Sequence, residues 1–154
     1  MLASEIPVAH TPPGGYGDRM PPPILAGCDE PLVDGAPDLR GMWRAVDVQW
    51  KDGQERPDDP VLDHVERIEQ AGDRVCITAG GVIHDMRADG TVEHGVDDVS
   101  PAGAPISVVC TFEDGVHVLR PVGMPGVEVT RRLDGDRLVW EYGPFFVATL
   151  ERLP

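Results

Sequence analysis

The sequence predicts an all-β protein: a single antiparallel meander β-barrel of about 8–10 strands behind an irregular arm rich in proline and glycine. Short segments that alternate apolar and polar residues recur along the chain, as half-buried strands do. Asp-Gly dipeptides, which are strong hairpin signals, recur between these segments. A long meander protects its edges best by closing into a barrel, and a small barrel can enclose one ligand.

The chain divides by composition into an arm, residues 1–38, and a barrel domain, residues 39–154. The arm contains Thr11–Gly15 and Pro21–Pro23, which favour extended or disordered backbone. Two interpretations of the arm stay open at this point. It is either a solvated leader, or a segment that lies over the domain as a lid or reaches a partner subunit.

The first strands follow directly from the alternation pattern. Gly41–Trp50 is predicted as a strand, and residues 54–60 as a loop that contains two prolines. Val61–Gln70 also fits one face of a helix. We favour a strand there, because Ala71–Asp73 is a hairpin-like turn that leads into the next strand, Arg74–Ala79.

A hairpin is predicted over Gly81–Val96, with Ala88–Gly90 as its loop. In this register His84 and His94 are direct cross-strand neighbours on the apolar face, beside Met86. The two histidines could act as general acid and base, or they could be satisfied by hydrogen bonds in a packed interior. No metal site is predicted, because a metal usually needs three or more protein ligands and no HxH or HExxH spacing is present.

The next hairpin joins two predicted strands, Ile106–Phe112 and Val116–Val122. With a three-residue loop, the more apolar face carries Phe112 and Arg120 into the interior. The same register turns His117 outward.

A third hairpin surrounds the turn Leu133–Asp136. A three-residue loop would set Arg131 opposite Arg137, an unfavourable pair of like charges. A loop of two or four residues instead directs Arg131, Trp140 and Tyr142 inward. Because a buried guanidinium is costly unless it is paired, an inward arginine implies an acidic partner or a bound anion.

Two patches resemble the calycins, the lipocalin and fatty-acid-binding-protein group of β-barrels. Gly41–Trp43 is similar to their opening G-x-W, in which the tryptophan closes one end of the barrel. Thr130–Glu141 resembles the penultimate hairpin of fatty-acid-binding proteins, where a basic residue at the place of Arg131 helps to hold a carboxylate. The chain departs from that pattern in two places. Residues 51–60 are too short for the helical pair of those proteins, and the last strand, Phe145–Leu153, lacks their Arg-x-Tyr motif.

Composition restricts the partners and the compartment. The formal charge of −14 argues against nucleic acid and anionic membrane surfaces. No apolar run approaches the roughly 20 residues that span a bilayer, and no signal peptide is visible. Three cysteines without a CxxC motif favour free thiols in a reducing cytoplasm. One lysine against twelve arginines is typical of a GC-rich bacterial genome.

The predicted function is binding of a small, largely apolar molecule with a polar or anionic head inside the barrel, without a cofactor. A homodimer is left open. The predicted ligand-binding residues are those placed on inward faces: Arg120, Arg131, Trp140, Tyr142, Phe112 and Met86.

Two alternatives remain from the sequence. One is a cofactor-independent cyclase, isomerase or lyase that acts on a small organic substrate, such as one of secondary metabolism; His84 or His94 would move a proton and Arg120 or Arg131 would stabilise negative charge. The other is a haem or metal protein whose ligands come from His84, His94 or His64. The sequence does not separate a carrier from an enzyme.

Overall fold

Ten antiparallel strands form one sheet that curls into a nearly closed barrel. The computed structural model describes all residues, Met1–Pro154. The strands are β1 Gly41–Trp50, β2 Val65–Ala71, β3 Arg74–Ala79, β4 Val82–Arg87, β5 Val96–Val99, β6 Pro105–Glu113, β7 Val116–Pro121, β8 Glu128–Asp134, β9 Arg137–Gly143 and β10 Phe146–Arg152. The predicted all-β meander barrel is therefore confirmed.

The strand order is β4-β3-β2-β1-β10-β9-β8-β7-β6-β5. Every neighbour pair is consecutive in the chain except β1 with β10, which joins the two halves of the meander. Trp43 lies opposite Arg152 in that pairing, and the register shifts between Ala45 and Asp47. The only helix is a one-turn 3-10 helix, Ala3–Glu5. No helix in the chain is both long and apolar enough to cross a bilayer.

The barrel has one seam, where β4 and β5 lie side by side without a ladder of hydrogen bonds. The Arg87 amide donates to the His94 carbonyl across it, at 2.8 Å. The His84 ring bridges it a second time, with Nε2 at 2.8 Å from the Val99 carbonyl oxygen.

The predicted hairpin over Gly81–Val96 was wrong, because its two strands meet at this seam and do not form a ladder. Residues 88–95 form a connection, and β5 begins only at Val96. The Asp89–Gly90 segment pairs with β6 instead, since Asp89 bridges Thr111 and the Gly90 amide donates to the Cys110 carbonyl. An Asp-Gly turn signals a reversal of the chain, but it does not ensure that the flanking strands pair with each other.

The β6–β7 hairpin also differs from its prediction. Glu113 pairs with Val116, so the loop has two residues. Asp114 and Gly115 both have positive φ, of 51° and 76°, as a type I′ turn requires. The one-residue slip turns β7 over, so that His117 faces inward and Arg120 outward. The predicted orientations of these two residues were both wrong.

The β8–β9 hairpin agrees with its prediction. Asp134 pairs with Arg137 across a two-residue loop, and Arg131 pairs with Trp140. Arg131 and Trp140 therefore share the inward face, with Tyr142 two residues further along.

The inward faces pack into one hydrophobic core. Its fully buried members include Trp43, whose indole nitrogen donates to the Leu39 carbonyl at 2.8 Å. Leu138, Ala148 and Leu150 fill the space beside it and have no exposed surface.

The arm lies against the outer face of β2, β3 and β4. Leu25 and Ala3 pack on Ala71 in a small second cluster. The Leu25 amide donates to the Glu69 carboxylate at 2.8 Å, and the Tyr16 amide donates to the Gly81 carbonyl at 2.8 Å. These contacts lie outside the barrel wall. The boundary of the arm at residue 38 stays a prediction.

Candidate functional site

The two ends of the barrel are packed differently. At the Trp43 end most inward side chains are fully buried, although Leu133 stays partly exposed. At the opposite end Phe146 and Val129 are buried, but several inward side chains that pack against the core are only partly buried: Val48, Trp50, Ile106, Leu119, Trp140 and Tyr142. The Trp43 end is therefore called the closed end, and the apolar, less completely buried end is called the half-open end.

The connection between β1 and β2, residues 51–64, folds back over the half-open end. Asp59 accepts a hydrogen bond from the Trp50 indole nitrogen at 2.8 Å, and the Arg56 guanidinium stacks over the Trp50 ring at 3.8 Å. Val61 is buried in the barrel core, and the His64 ring packs on Trp140 with 4.7 Å between ring centroids. The half-open end is thus partly covered by a short, irregular segment.

An ion pair crosses the interior of the barrel. Arg131 on β8 donates to Glu66 on β2 through two hydrogen bonds, Nε to Oε2 at 2.8 Å and Nη2 to Oε1 at 3.0 Å. Three strands separate β8 from β2 in the sheet, so the pair joins opposite walls. Both side chains are buried. In this bidentate geometry the two hydrogen bonds best offset the free energy that both charged groups lose when they leave water.

Glu66 faces inward because β2 alternates. Glu66, Ile68 and Gln70 line the interior, whereas Arg67 and Glu69 lie under the arm. Burial raises the pKa of the Glu66 carboxyl. The Arg131 charge and the hydrogen bonds from His64 and Arg131 lower that pKa, and together they outweigh the effect of burial. The net pKa lies below the ordinary value, so Glu66 is ionised.

A buried thiol and imidazole lie next to this pair. His117 on β7 is opposite Arg131 on β8, and its Nε2 is 3.1 Å from the Cys110 sulfur. Burial, with the nearby Arg131 charge, lowers the pKa of His117 to about 3, and burial raises the pKa of the Cys110 thiol. Both groups are neutral at pH 7.

Two buried polar atoms of this cluster have no hydrogen-bond partner. They are Nδ1 of His117 and Nε1 of Trp140. The Arg131 guanidinium lies 5.0 Å from the centre of the Trp140 ring, so Trp140 borders the ion pair. Buried polar groups in native proteins are nearly always hydrogen-bonded. The two unpartnered atoms can therefore hydrogen-bond to a water molecule or to a ligand.

We define the interior polar cluster as His64, Glu66, Cys110, His117, Arg131 and Trp140. It lies beneath the half-open end, with apolar side chains around it. It can orient one polar group of a mostly apolar molecule, which is the usual composition of a small-molecule site.

The predicted ligand-binding residues divide between the two faces. Arg131, Trp140, Tyr142, Phe112 and Met86 lie on inward faces. Arg120 lies on the outer surface, where it pairs with Glu113 and with Glu128 at 3.0 Å. An exposed arginine with two carboxylate partners is not available to the interior.

The two histidines predicted as a cross-strand pair are apart in the pairing scheme. His84 faces the interior opposite Ile77 and binds the Val99 carbonyl at the seam. His94 lies in the 88–95 connection, partly exposed, with its Nδ1 on the Asp89 carboxylate. The prediction that they face each other was wrong, because β4 and β5 do not form a hairpin ladder. No group of three or more His, Cys, Asp or Glu side chains has the arrangement of a metal site.

Sequence reasoning missed Glu66 and His117, and it named His64 only as a possible haem or metal ligand. A signal for Glu66 was present, because it alternates with Ile68 and Gln70 in the predicted strand. His117 was lost with the register of its hairpin. His64 precedes β2, in a segment whose conformation no local pattern specifies.

Comparison with solved structures identifies the fold. A crystal structure of zebrafish ileal bile acid-binding protein complexed with cholic acid matches 74% of this chain and 98% of its own, at 18% identity and a TM-score of 0.57. Human cRBP IV, a cellular retinol-binding protein, matches 75% of this chain and 98% of its own, at 18% identity and a TM-score of 0.55. The chain therefore has a calycin-like fold, and the resemblance seen in the sequence is confirmed.

The sequence comparisons found no match. No protein-family model matches the chain, and no curated protein matches it.

Proposed function

We propose that this protein binds a small, largely apolar molecule inside its barrel, with the polar head of that molecule at the interior polar cluster. The observation that carries the proposal is the pair of buried polar atoms without partners, Trp140 Nε1 and His117 Nδ1. Leaving a buried donor or acceptor unpaired costs about 1–3 kcal/mol. A ligand head that hydrogen-bonds to them would recover that free energy.

The side chains that line the half-open end support the same function. Half-buried aromatic and aliphatic side chains line the half-open end, and the closed end beyond the cluster is packed. A molecule that enters past Trp50 and Tyr142 would place its apolar part among these side chains. Its far end would then meet the cluster. The names of the two similar structures refer to a bile acid, which is an amphipathic carboxylic acid, and to retinol, and those names describe those proteins.

The enzyme alternative has less support from the geometry. It assigns proton transfer to His84 or His94, and each ring already has a partner within the chain, the Val99 carbonyl for His84 and the Asp89 carboxylate for His94. The remaining expectations, a cytoplasmic location and a homodimer, stay predictions.

The proposal is tested with Nile red, an uncharged apolar dye whose fluorescence rises in apolar surroundings. Titrated into protein stripped of bound lipid by organic extraction, the dye should give saturable fluorescence at one site per chain. Leu119→Arg places a charge on the inward face of the half-open end and should weaken this binding at least tenfold.

The matched control is Val109→Arg. Val109 is also half-buried and lies on the neighbouring strand, but it faces outward opposite Arg120. It should leave dye binding within about twofold of wild type. Equal loss in both variants, or no saturable binding in wild type, would contradict an interior site.

A further inference from the structure

The charge in the barrel interior is already balanced before any ligand enters. Glu66 and Arg131 are buried on opposite walls and neutralise each other through two hydrogen bonds. An arginine alone at this place would attract a carboxylate. Here the Glu66 carboxylate occupies the Nε and Nη2 edge of Arg131, which is the edge at which a ligand carboxylate would form a bidentate pair.

The polar groups beside this ion pair that have no hydrogen-bond partner are mainly donors. The indole nitrogen of Trp140 can only donate, and it has no acceptor. Neither hydrogen bond of Arg131 uses Nη1, which is a further N–H donor. His117 is neutral, so its Nδ1 is an acceptor or a donor according to the tautomer that the Cys110 contact selects. Two donors favour a ligand head that carries an accepting oxygen.

A second negative charge at this place is unfavourable. A ligand carboxylate would lose its hydration in a buried, weakly polar environment, and because Glu66 already neutralises Arg131, no uncompensated positive charge would offset that cost. A ligand ammonium would also lose its hydration, and Glu66, already neutralised by Arg131, supplies no net negative charge to offset that cost. The free groups of Trp140 and Arg131 cannot accept its hydrogen bonds, which leaves His117 Nδ1 as the one free acceptor. An uncharged hydroxyl or carbonyl meets neither obstacle.

We infer that the ligand is an apolar molecule whose head is an uncharged hydroxyl or carbonyl, and that Glu66 is the residue that excludes carboxylates. This inference rests on the proposed function. It makes Glu66 a determinant of ligand class and Arg131 its partner.

The test compares two probes of equal chain length, dodecan-1-ol and dodecanoate, at pH 7. Their dissociation constants are measured by displacement of Nile red from wild-type protein and from two variants. Glu66→Gln removes the interior negative charge. Asp85→Asn removes a carboxylate from a buried arginine pair on the outer face of the barrel, and serves as the matched control.

Wild-type protein should bind the alcohol at least tenfold more tightly than the carboxylate. Because an alcohol also enters apolar sites more readily than an ion does, the decisive quantity is the change of this ratio between proteins. Glu66→Gln should shift the ratio at least tenfold toward dodecanoate, and Asp85→Asn should leave it within twofold of wild type.

If the Glu66→Gln variant does not fold without a ligand, the two probes are compared by their ability to restore its folding. Dodecanoate should restore a cooperative thermal transition to the variant at a lower concentration than dodecan-1-ol does, because it supplies the missing charge.

The possible outcomes separate a failure of the inference from a failure of the proposed function. Wild-type protein that binds neither probe nor Nile red would overturn both. Binding of dodecanoate as tightly as the alcohol, or a ratio unchanged by Glu66→Gln, would overturn the inference and leave the function standing. An equal shift in Asp85→Asn would also overturn it, because the effect would then not depend on the interior.

Discussion

Two buried arginine–carboxylate pairs lie on opposite faces of the same barrel wall. Inside, Glu66 on β2 pairs with Arg131. Outside, Arg74 on β3 pairs with Asp85 on β4, with Nε 2.8 Å from Oδ1. Both pairs are made by two hydrogen bonds, and both are removed from water.

The two pairs differ in what surrounds them. Carbonyl oxygens of the arm complete the outer arginine, at 2.7 Å from Ala3, 2.6 Å from Ile6 and 2.9 Å from Pro7. The inner arginine has only Glu66 as a hydrogen-bond partner, and its neighbours Trp140 and His117 keep unpaired atoms. The outer pair is thus completed by the chain itself, whereas polar atoms beside the inner pair have no partner within the chain. Changes at Glu66 and Asp85 test this difference directly, and changes at His117 and Thr11 test the surroundings of the inner pair and the contacts of the arm at the seam.

The largest effect is expected from Glu66→Gln in the ligand-free protein. It leaves the buried Arg131 charge without a counter-charge, and breaking a buried pair in this way costs about 3–5 kcal/mol. The free energy of unfolding, measured by urea denaturation at pH 7, should fall by that amount.

The control for this variant is Glu66→Gln combined with Arg131→Met. Because the double variant buries no charge, most of the lost stability should return. A single-variant loss no larger than that of an exposed ion pair, about 1 kcal/mol, would show that the inner pair is solvated.

Asp85→Asn should cost less, about 1–3 kcal/mol, because three arm carbonyls still accept from Arg74. The same urea denaturation measures it. A loss equal to that of Glu66→Gln would mean that the arm does not compensate the outer arginine, and the contrast between the two pairs would be wrong.

Acid should destabilise the protein through His117. Its pKa is lowered to about 3 from 6.5 by burial, with the Arg131 charge adding to the effect and Glu66 opposing it. Below pH 6.5 the unfolded chain therefore binds a proton that the folded chain does not. Stability is fully present above pH 6.5 and falls as the pH decreases toward 3, by up to about 1.4 kcal/mol per pH unit.

The measurement is urea denaturation between pH 6.5 and 5, above the range in which most carboxyl groups titrate. His117→Leu should flatten the slope there, and His94→Gln, a variant of a partly exposed histidine, should not. An unchanged slope in His117→Leu would show that His117 is not held neutral by its surroundings.

The smallest effect is expected at the seam. Thr11 of the arm links β4 to β5, because its hydroxyl accepts from the Ile83 amide at 3.0 Å and its amide donates to Asp98 at 2.9 Å. Thr11→Val removes the hydroxyl contact, at a cost of about 1 kcal/mol. Hydrogen exchange of the Ile83 amide should accelerate by up to about tenfold.

Exchange at amides in the β8–β9 hairpin, on the far side of the barrel, is the internal control and should not change. Uniform acceleration across the sheet would mean that Thr11 supports the whole barrel and not the seam alone.

The sequence predicted most of the fold because the strands carry local signals. Alternation located β1, β3 and the β8–β9 hairpin, and the opposition of Arg131 and Arg137 excluded the wrong loop between β8 and β9. These signals involve residues within one hairpin, so they need no knowledge of the rest of the chain. They were sufficient to place Arg131, Trp140 and Tyr142 on the inward face.

Where two registers bury similar apolar sets, the sequence did not decide between them. The β6–β7 hairpin has valines on both faces, so counting apolar residues favoured the wrong side and exchanged His117 with Arg120. The backbone conformation of Asp114 and Gly115 decided the register instead.

What the sequence by itself determined is therefore the all-β barrel and the inward face of its last hairpins. Only the tertiary structure decided that Glu66 meets Arg131 across the interior and that His84 and His94 do not meet. The physical reason is closure of the barrel, which brings together strands that are distant in the chain and separates β4 from β5 at the seam. A buried charge is stable only beside its partner, and which residue becomes that partner depends on closure and not on local pattern.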